Sequence, residues 1–328
     1  MRILYAAAKY DYGDSSRGLS FEHCNFYDTL EHLGHDITYF DTLTEVLQHS
    51  KSSAGRRLLD IVKQEKPDLL FCSIMRDELD IGVVQYISNH TDTTTFNWFC
   101  DDHWRFDNFS RHWAPAFNWV STTANSAVPK YRQIGYANVI KTQWACNHFS
   151  YRRLDAEPLY EVTFIGQPHG IRRKTIAALR RAGIDVKTWG HGWENGRLGQ
   201  EAMIEVFNQS RINLNLSNAS TRGDWKRWSP WQRKQTSPQI KGRNFEIPGC
   251  GAFLLTGTAE NLDEYYIPDR DIAIFGNDGE LLHKIIYYLD HASERARIAD
   301  AAYRRTLTEH TYEKRFTDIF AAMRLGQC

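Results

Sequence analysis

Short apolar runs recur along the chain, separated by longer stretches in which apolar residues return every three or four positions. In the first half the runs are ILYAAA (3–8), DITYFD (36–41), DLLFCSI (68–74), TTFNWFCDD (94–102), WVSTTA (119–124) and NVIKTQWA (138–145). Runs of this length predict strands, and the stretches near 20–33, 53–65, 78–89 and 126–134 predict helices. The repeat is the β-α pattern of a parallel sheet covered on both faces. It breaks at RRLDAEP (152–158) and then restarts with EVTFIG (161–166), DVKTWG (185–190), INLNLS (212–217), AFLLT (252–256) and DIAIFG (271–276). Helices fit 171–182, 200–209, 238–249, 259–266, 278–290 and 293–308.

The pattern therefore predicts an α/β fold of two Rossmann-like domains, 1–155 and 156–328, with ligands beyond the carboxyl ends of the strands in a cleft between them. Phe316, Ile319, Phe320 and Met323 share one face of a last helix, which predicts that this helix docks back. Length agrees with two domains, because 328 residues exceed the ~250 that one core usually serves. Apolar residues at 42% and charged residues at 24% fit a soluble globular chain. Forty Lys+Arg balance forty Asp+Glu, so any anionic partner must be met locally rather than by a global field. The first strand is too short for a signal peptide, and no run reaches the ~18 apolar residues of a membrane span. Six cysteines lack metal-ligand spacing and predict reduced thiols in a cytoplasmic protein without integral membrane association.

Chemistry concentrates in SPQIKGRNFEIPGCGAFLLT (237–256). Ser237 as N-cap and Pro238 at the first position predict a helix start there, with Gln239, Gly242, Arg243, Glu246 and Cys250 on one face. A glycine inside a helix costs ~1 kcal/mol relative to alanine, so Gly242 points to something approaching the backbone closely. Arg243 and the helix start suit an anion, and Glu246 suits sugar hydroxyls; alternatively, the two pair with each other on a solvated helix.

FEIPGCGAFLLT and the following AENLDEYYIPDRDIAIFGNDGELLHKIIYYLDHASERARIADAAYRRTLTEHTYEKRF resemble the C-terminal half of GT-B glycosyltransferases, in particular the CgeB-like group of glycosyl transferases group 1. The resemblance covers roughly residues 160–320, with support from FNWFCDDHWRFDNFSRHWAP in the first half. It implies that Glu246 holds the ribose of a nucleotide diphosphate-sugar donor. Pro238 stands where many relatives carry a second glutamate that contacts the donor sugar. The class stabilises its leaving diphosphate with cations rather than a required metal, so no cofactor and no metal are expected.

IGQPHGIRRKT (165–175) is a second candidate phosphate site, a strand end and glycine loop opening a helix at Arg172 and Lys174. Gly166, Arg172, Lys174, Ser217, Lys241, Gly242, Arg243 and Glu246 are thus the donor-side candidates; for the loop, arginines in solvent are the alternative. The basic, tryptophan-bearing stretch 214–243 suits a loop closing over the donor or a nucleic-acid contact, and the balanced total charge favours the donor. In the first domain Asp101, Asp102 and His103 end a strand; as a metal pair and third ligand they are the lesser reading, and the better one makes one of them a general base or a group polarising the acceptor hydroxyl, unless an aspartate simply caps the next helix. Arg76, Asp77 and Glu78, with Tyr10 and Arg17, are acceptor-side candidates, and Asp77 could instead be a cap. The activity expected is transfer of a sugar to an acceptor hydroxyl on a glycan, lipid, protein or other molecule. A nucleotide-sugar epimerase of the same plan and a nucleic-acid-binding or assembly protein that has lost transfer are the alternatives.

Overall fold

The apolar runs form strands β1 (Arg2–Ala7), β2 (Asp36–Asp41), β3 (Leu69–Ser73), β4 (Thr94–Phe99), β5 (Trp119–Thr122), β6 (Val139–Lys141), β7 (Tyr160–Ile165), β8 (Val186–Trp189), β9 (Ser210–Asn215), β10 (Leu254–Gly257) and β11 (Ala273–Phe275). They come from a computed structural model that describes residues 1–218 and 238–325. One sheet has the order β2-β1-β3-β4-β5-β6 and the other β11-β10-β9-β7-β8, with parallel pairing throughout. Counted from its own first strand, each sheet runs second, first, third, fourth, fifth, and the first sheet adds a sixth. The order reverses between β1 and β3 and again between β7 and β9, and ligands of such sheets bind at that reversal.

Both sheets are buried because their strands carry apolar side chains on both faces. Leu4, Leu70 and Val120 pack with Leu58 and Val84 of the covering helices in the first unit, and Phe164, Leu214 and Leu255 with Ile176 and Ile285 in the second. The first unit comprises Met1–Gln143 with Tyr312–Cys328, and the second Trp144–Thr311. The division thus falls between residues 143 and 144 instead of near 155. Residues 152–154 are tied to the Gln200–Asn208 helix, since Leu154 N donates to Asn208 Oδ1 (2.8 Å) and Asn208 Nδ2 to the Arg152 carbonyl (3.1 Å). The last helix, Tyr312–Ala322, buries Tyr312, Phe316, Ile319 and Phe320, and the Phe316 ring lies 5.7 Å from Phe71 and 6.4 Å from Trp98.

Three expected helices differ. The 20–33 helix changes to π-type winding over His23–Tyr27 before Asp28–His32. The 259–266 stretch forms only a 3₁₀ turn, Leu262–Glu264, because Asn261 takes a left-handed φ of 61°. The helix expected from residue 238 begins at Arg243 and ends at Gly249. Gln239 N donates to the Ser217 carbonyl (3.0 Å) and Pro238 bridges Asn218, so the backbone there follows a strand end rather than a helix. Gly242 is consequently the N-cap, its carbonyl accepting from Phe245 N and Glu246 N, and the helix-interior argument for it does not hold. Ser237 lies outside the described residues.

Candidate functional site

At the β7/β9 reversal the chain brings four elements together. Gly166 follows β7 and Gly190 follows β8, and a Cβ on residue 190 would sit 2.5 Å from the Gly166 carbonyl oxygen. Trp193 Nε1 donates to that same oxygen (2.7 Å), which fixes the loop. The Arg243 guanidinium lies alongside, where a Cβ on residue 166 would fall 3.2 Å from its Nη2. Arg243 Nε donates to Asn215 Oδ1 at 3.4 Å. Glycine at 166 therefore leaves room for a cation at the end of β7.

Two guanidinium groups share the Phe164 ring, Arg172 at 5.6 Å and Arg243 at 6.0 Å from its centroid. Their duties differ. Arg172 is 4% exposed and donates to the carbonyls of Gln167, Leu216 and Asn218, each at 2.9 Å. Burial and then the neighbouring Arg243 cation push its pKa down to about 9. Arg172 thus joins the β7 loop to the end of β9. Arg243 is half-buried, and its neighbour one turn on, Glu246, is buried and accepts a hydrogen bond from the Tyr151 hydroxyl. Burial raises Glu246 to about 7 against the pull of Arg243 and Tyr151.

Of the other donor-side candidates, Ser217 is buried with its Oγ donating to the Gly257 carbonyl (2.7 Å). Lys241 is half-buried and its backbone N–H donates to Asn244 Oδ1 (2.9 Å). Lys174 is exposed on the Arg172–Arg181 helix. The arrangement can hold an anion against Arg243 and Lys241 and a hydroxyl pair against Glu246. Arg222, Lys226, Arg227, Arg233 and Lys234, on which the loop and nucleic-acid readings rested, lie outside the described residues.

The β1/β3 reversal of the first unit has opposite character. Glu22 and Glu78 are buried, and each is raised to about 7. Burial is the main cause for both; Asp11, Asp101 and Glu78 add to it at Glu22, while Arg105 works against it at Glu78. Glu78 accepts from Met75 N (2.8 Å) and Arg76 N (2.6 Å), which closes the loop after β3. Asp102 is buried and accepts from the Tyr131 hydroxyl (2.7 Å), with further bonds to Ser110 and Thr122; burial raises its pKa in spite of all three. Asp101 and His103 are half-buried beside it. Asp101 occupies the N-cap of the Asp102–Arg105 turn without a side-chain capping bond.

Capping of the Ile81–His90 helix falls to Asp80, which accepts from Gly82 N and Val83 N; Asp77 is exposed and pairs with Lys51 (2.6 Å). Arg17 pairs with Asp11 (2.7 Å), and Arg17 and Arg76 meet over the Tyr12 ring at 4.8 and 5.5 Å. Tyr10 bridges Leu19 to shape the same loop. Among the described residues no group of three His, Cys, Asp or Glu side chains could hold a metal ion, and no helix is long and apolar enough to cross a membrane.

Sequence reasoning passed over Glu22, Tyr151, Asn215, Asn244 and Thr256. One signal was available: Asn213 and Asn215 alternate inside a strand that a parallel sheet must bury, and a buried amide needs partners.

Residues 172–321 match the family model described as glycosyl transferase-like. The spore protein CgeB of Bacillus subtilis is 22% identical over 214 residues, a match spanning 60% of this chain and 64% of that protein. Sucrose-phosphate synthase from Thermosynechococcus elongatus superposes with a TM-score of 0.67 at 9% identity, covering 98% of this chain and 99% of that one. Anabaena HepE, solved in complex with UDP-glucose, gives a TM-score of 0.67 at 12% identity and 99% coverage of both chains. The fold is that of the GT-B glycosyltransferases.

Proposed function

We propose that this protein, a GT-B chain with a glycosyl transferase-like second unit, moves a sugar from a nucleotide diphosphate-sugar to an acceptor hydroxyl. The observation that carries the reading is Arg243, a half-buried cation set against Gly166 at the β7/β9 reversal, with the buried carboxyl of Glu246 one turn away. The diphosphate lies against Arg243 and Lys241, and Glu246 accepts from the ribose hydroxyls. As the bond from the anomeric carbon to the diphosphate oxygen breaks, the electron pair stays with the diphosphate, and the two cations offset that charge. The acceptor hydroxyl bonds to the anomeric carbon and gives its proton to a general base, for which Asp101 and His103 are the candidates. UDP-glucose in Anabaena HepE supports the donor class. Thiols at Cys72, Cys100, Cys146 and Cys250 support a reducing, cytoplasmic setting.

Binding of UDP, GDP and ADP, measured by thermal shift and calorimetry, tests the reading. A charge-assisted hydrogen bond lost to truncation is worth ~1.5–3 kcal/mol, so Arg243→Ala and Glu246→Ala should each weaken the best-bound nucleotide roughly 10- to 100-fold. Asp101→Asn and His103→Ala should leave that affinity alone and lower turnover. Unchanged affinity in both second-unit variants would remove the donor assignment.

A further inference from the structure

We infer that Asn215, through a buried network with Asn244 and Thr256, is a positioning residue that aims the Arg243 guanidinium at the donor diphosphate. The inference rests on the function proposed above.

Asn215 ends β9 and Thr256 lies beside it in register on β10, while Asn244 is the second residue of the Arg243–Gly249 helix. All three are fully buried. Asn215 Nδ2 donates to Asn244 Oδ1 (3.1 Å) and to Thr256 Oγ1 (3.0 Å). Asn244 Nδ2 donates to Thr256 Oγ1 (3.2 Å), and Asn244 Oδ1 also receives the Lys241 N–H. Both amide hydrogens of Asn215 are therefore committed, which leaves only its Oδ1 to face Arg243. A flipped amide would set an NH₂ group against a guanidinium and forfeit the bonds to Asn244 Oδ1 and Thr256 Oγ1. The network thus determines which atom Arg243 meets.

Three buried polar side chains at the end of a parallel sheet and the helix beside it are expensive unless satisfied, and apolar residues there would serve stability as well. Their arrangement instead joins two strand ends to the start of the helix that bears Arg243. Nε is held, and Nη2 lies at the Gly166 side. A planar guanidinium anchored at one nitrogen presents its remaining donors in a fixed orientation, which a phosphate needs for two-point contact.

A double-mutant cycle tests this, using whichever of UDP, GDP and ADP binds the parent best, with the matching nucleoside monophosphate as control. Asn215→Ala should weaken diphosphate binding roughly tenfold and monophosphate binding much less, and in an Arg243→Ala background it should add almost nothing. Equal losses in both backgrounds overturn the inference while leaving the donor site standing. No loss from Arg243→Ala itself removes the donor reading and the inference together. Should Asn215→Ala fail to fold, Arg243→Lys decides at the half-buried position: it keeps the charge but lacks Nε. It should fall nearly as far as Arg243→Ala, whereas parent-like affinity would show the anchor to be dispensable.

Discussion

The reversal points of the two sheets have the same strand order and opposite chemistry. In the first unit the loops after β1, β3 and β4 gather Glu22, Glu78, Asp101 and Asp102, whereas in the second the loops after β7 and β9 gather Arg172, Arg243 and Lys241. Topology chooses where a site forms; the side chains at the strand ends choose what it attracts. The pair also shows that being charged and well placed is not enough. Arg172 and Arg243 share one aromatic ring, yet one guanidinium is spent on three carbonyls and the other is held at Nε. Asp102 and Asp101 repeat the contrast, the first tied to hydroxyls and the second without a side-chain capping bond.

That contrast can be broken most forcefully at the two arginines. Arg172→Ala removes the donor shared by the carbonyls of Gln167, Leu216 and Asn218 and should lower stability by roughly 3 kcal/mol, a fall in Tm of about 6–12 °C, while Arg243→Ala should shift it far less. Equal shifts in a melting experiment would erase the distinction. A smaller effect concerns the buried carboxyls. Glu22, Glu78 and Glu246 rise from an ordinary 4.5 to about 7 on folding, so the folded state holds protons that the unfolded state has released. Stability is then greatest at the low end of that window and declines as pH climbs from about 4.5 to 7, by up to ~1.4 kcal/mol per pH unit for each group. Glu22→Gln should flatten the slope by about one proton's worth, and an unaltered slope would mean that Glu22 titrates normally. The smallest expected effect is none: turnover should survive EDTA, since Arg243 and Lys241 carry the leaving-group charge in the mechanism proposed. Loss restored by Mn²⁺ or Mg²⁺ would assign the acidic end of the first sheet a different task.

Strands and their pairing class were legible because an apolar run between turn residues has few alternatives. Helix 238–249 misled because Ser237 and Pro238 satisfy a local start rule, while Gln239 bonding to Ser217 is decided by a strand remote in sequence. Arg243 and Glu246 could be singled out from spacing and resemblance. Asn215 and Thr256 could not, for their significance depends on sitting beside each other in register across β9 and β10. Glu22 was hidden likewise: in sequence it opens an amphipathic helix, and only folding buries it within reach of Asp101 and Glu78.

The assignment of Tyr312–Ala322 to the first unit makes the second an insertion, whose own ends are joined where Cys146 N meets the His310 carbonyl at 2.9 Å. During synthesis the inserted unit can complete its core from contiguous chain. The first unit must wait, because Phe316 reaches Phe71 and Trp98 only after every residue of the insertion has emerged. Its aromatic core therefore closes last, and an early stop after residue 311 would leave Phe26, Phe71 and Trp98 without their cover while the inserted unit stands finished.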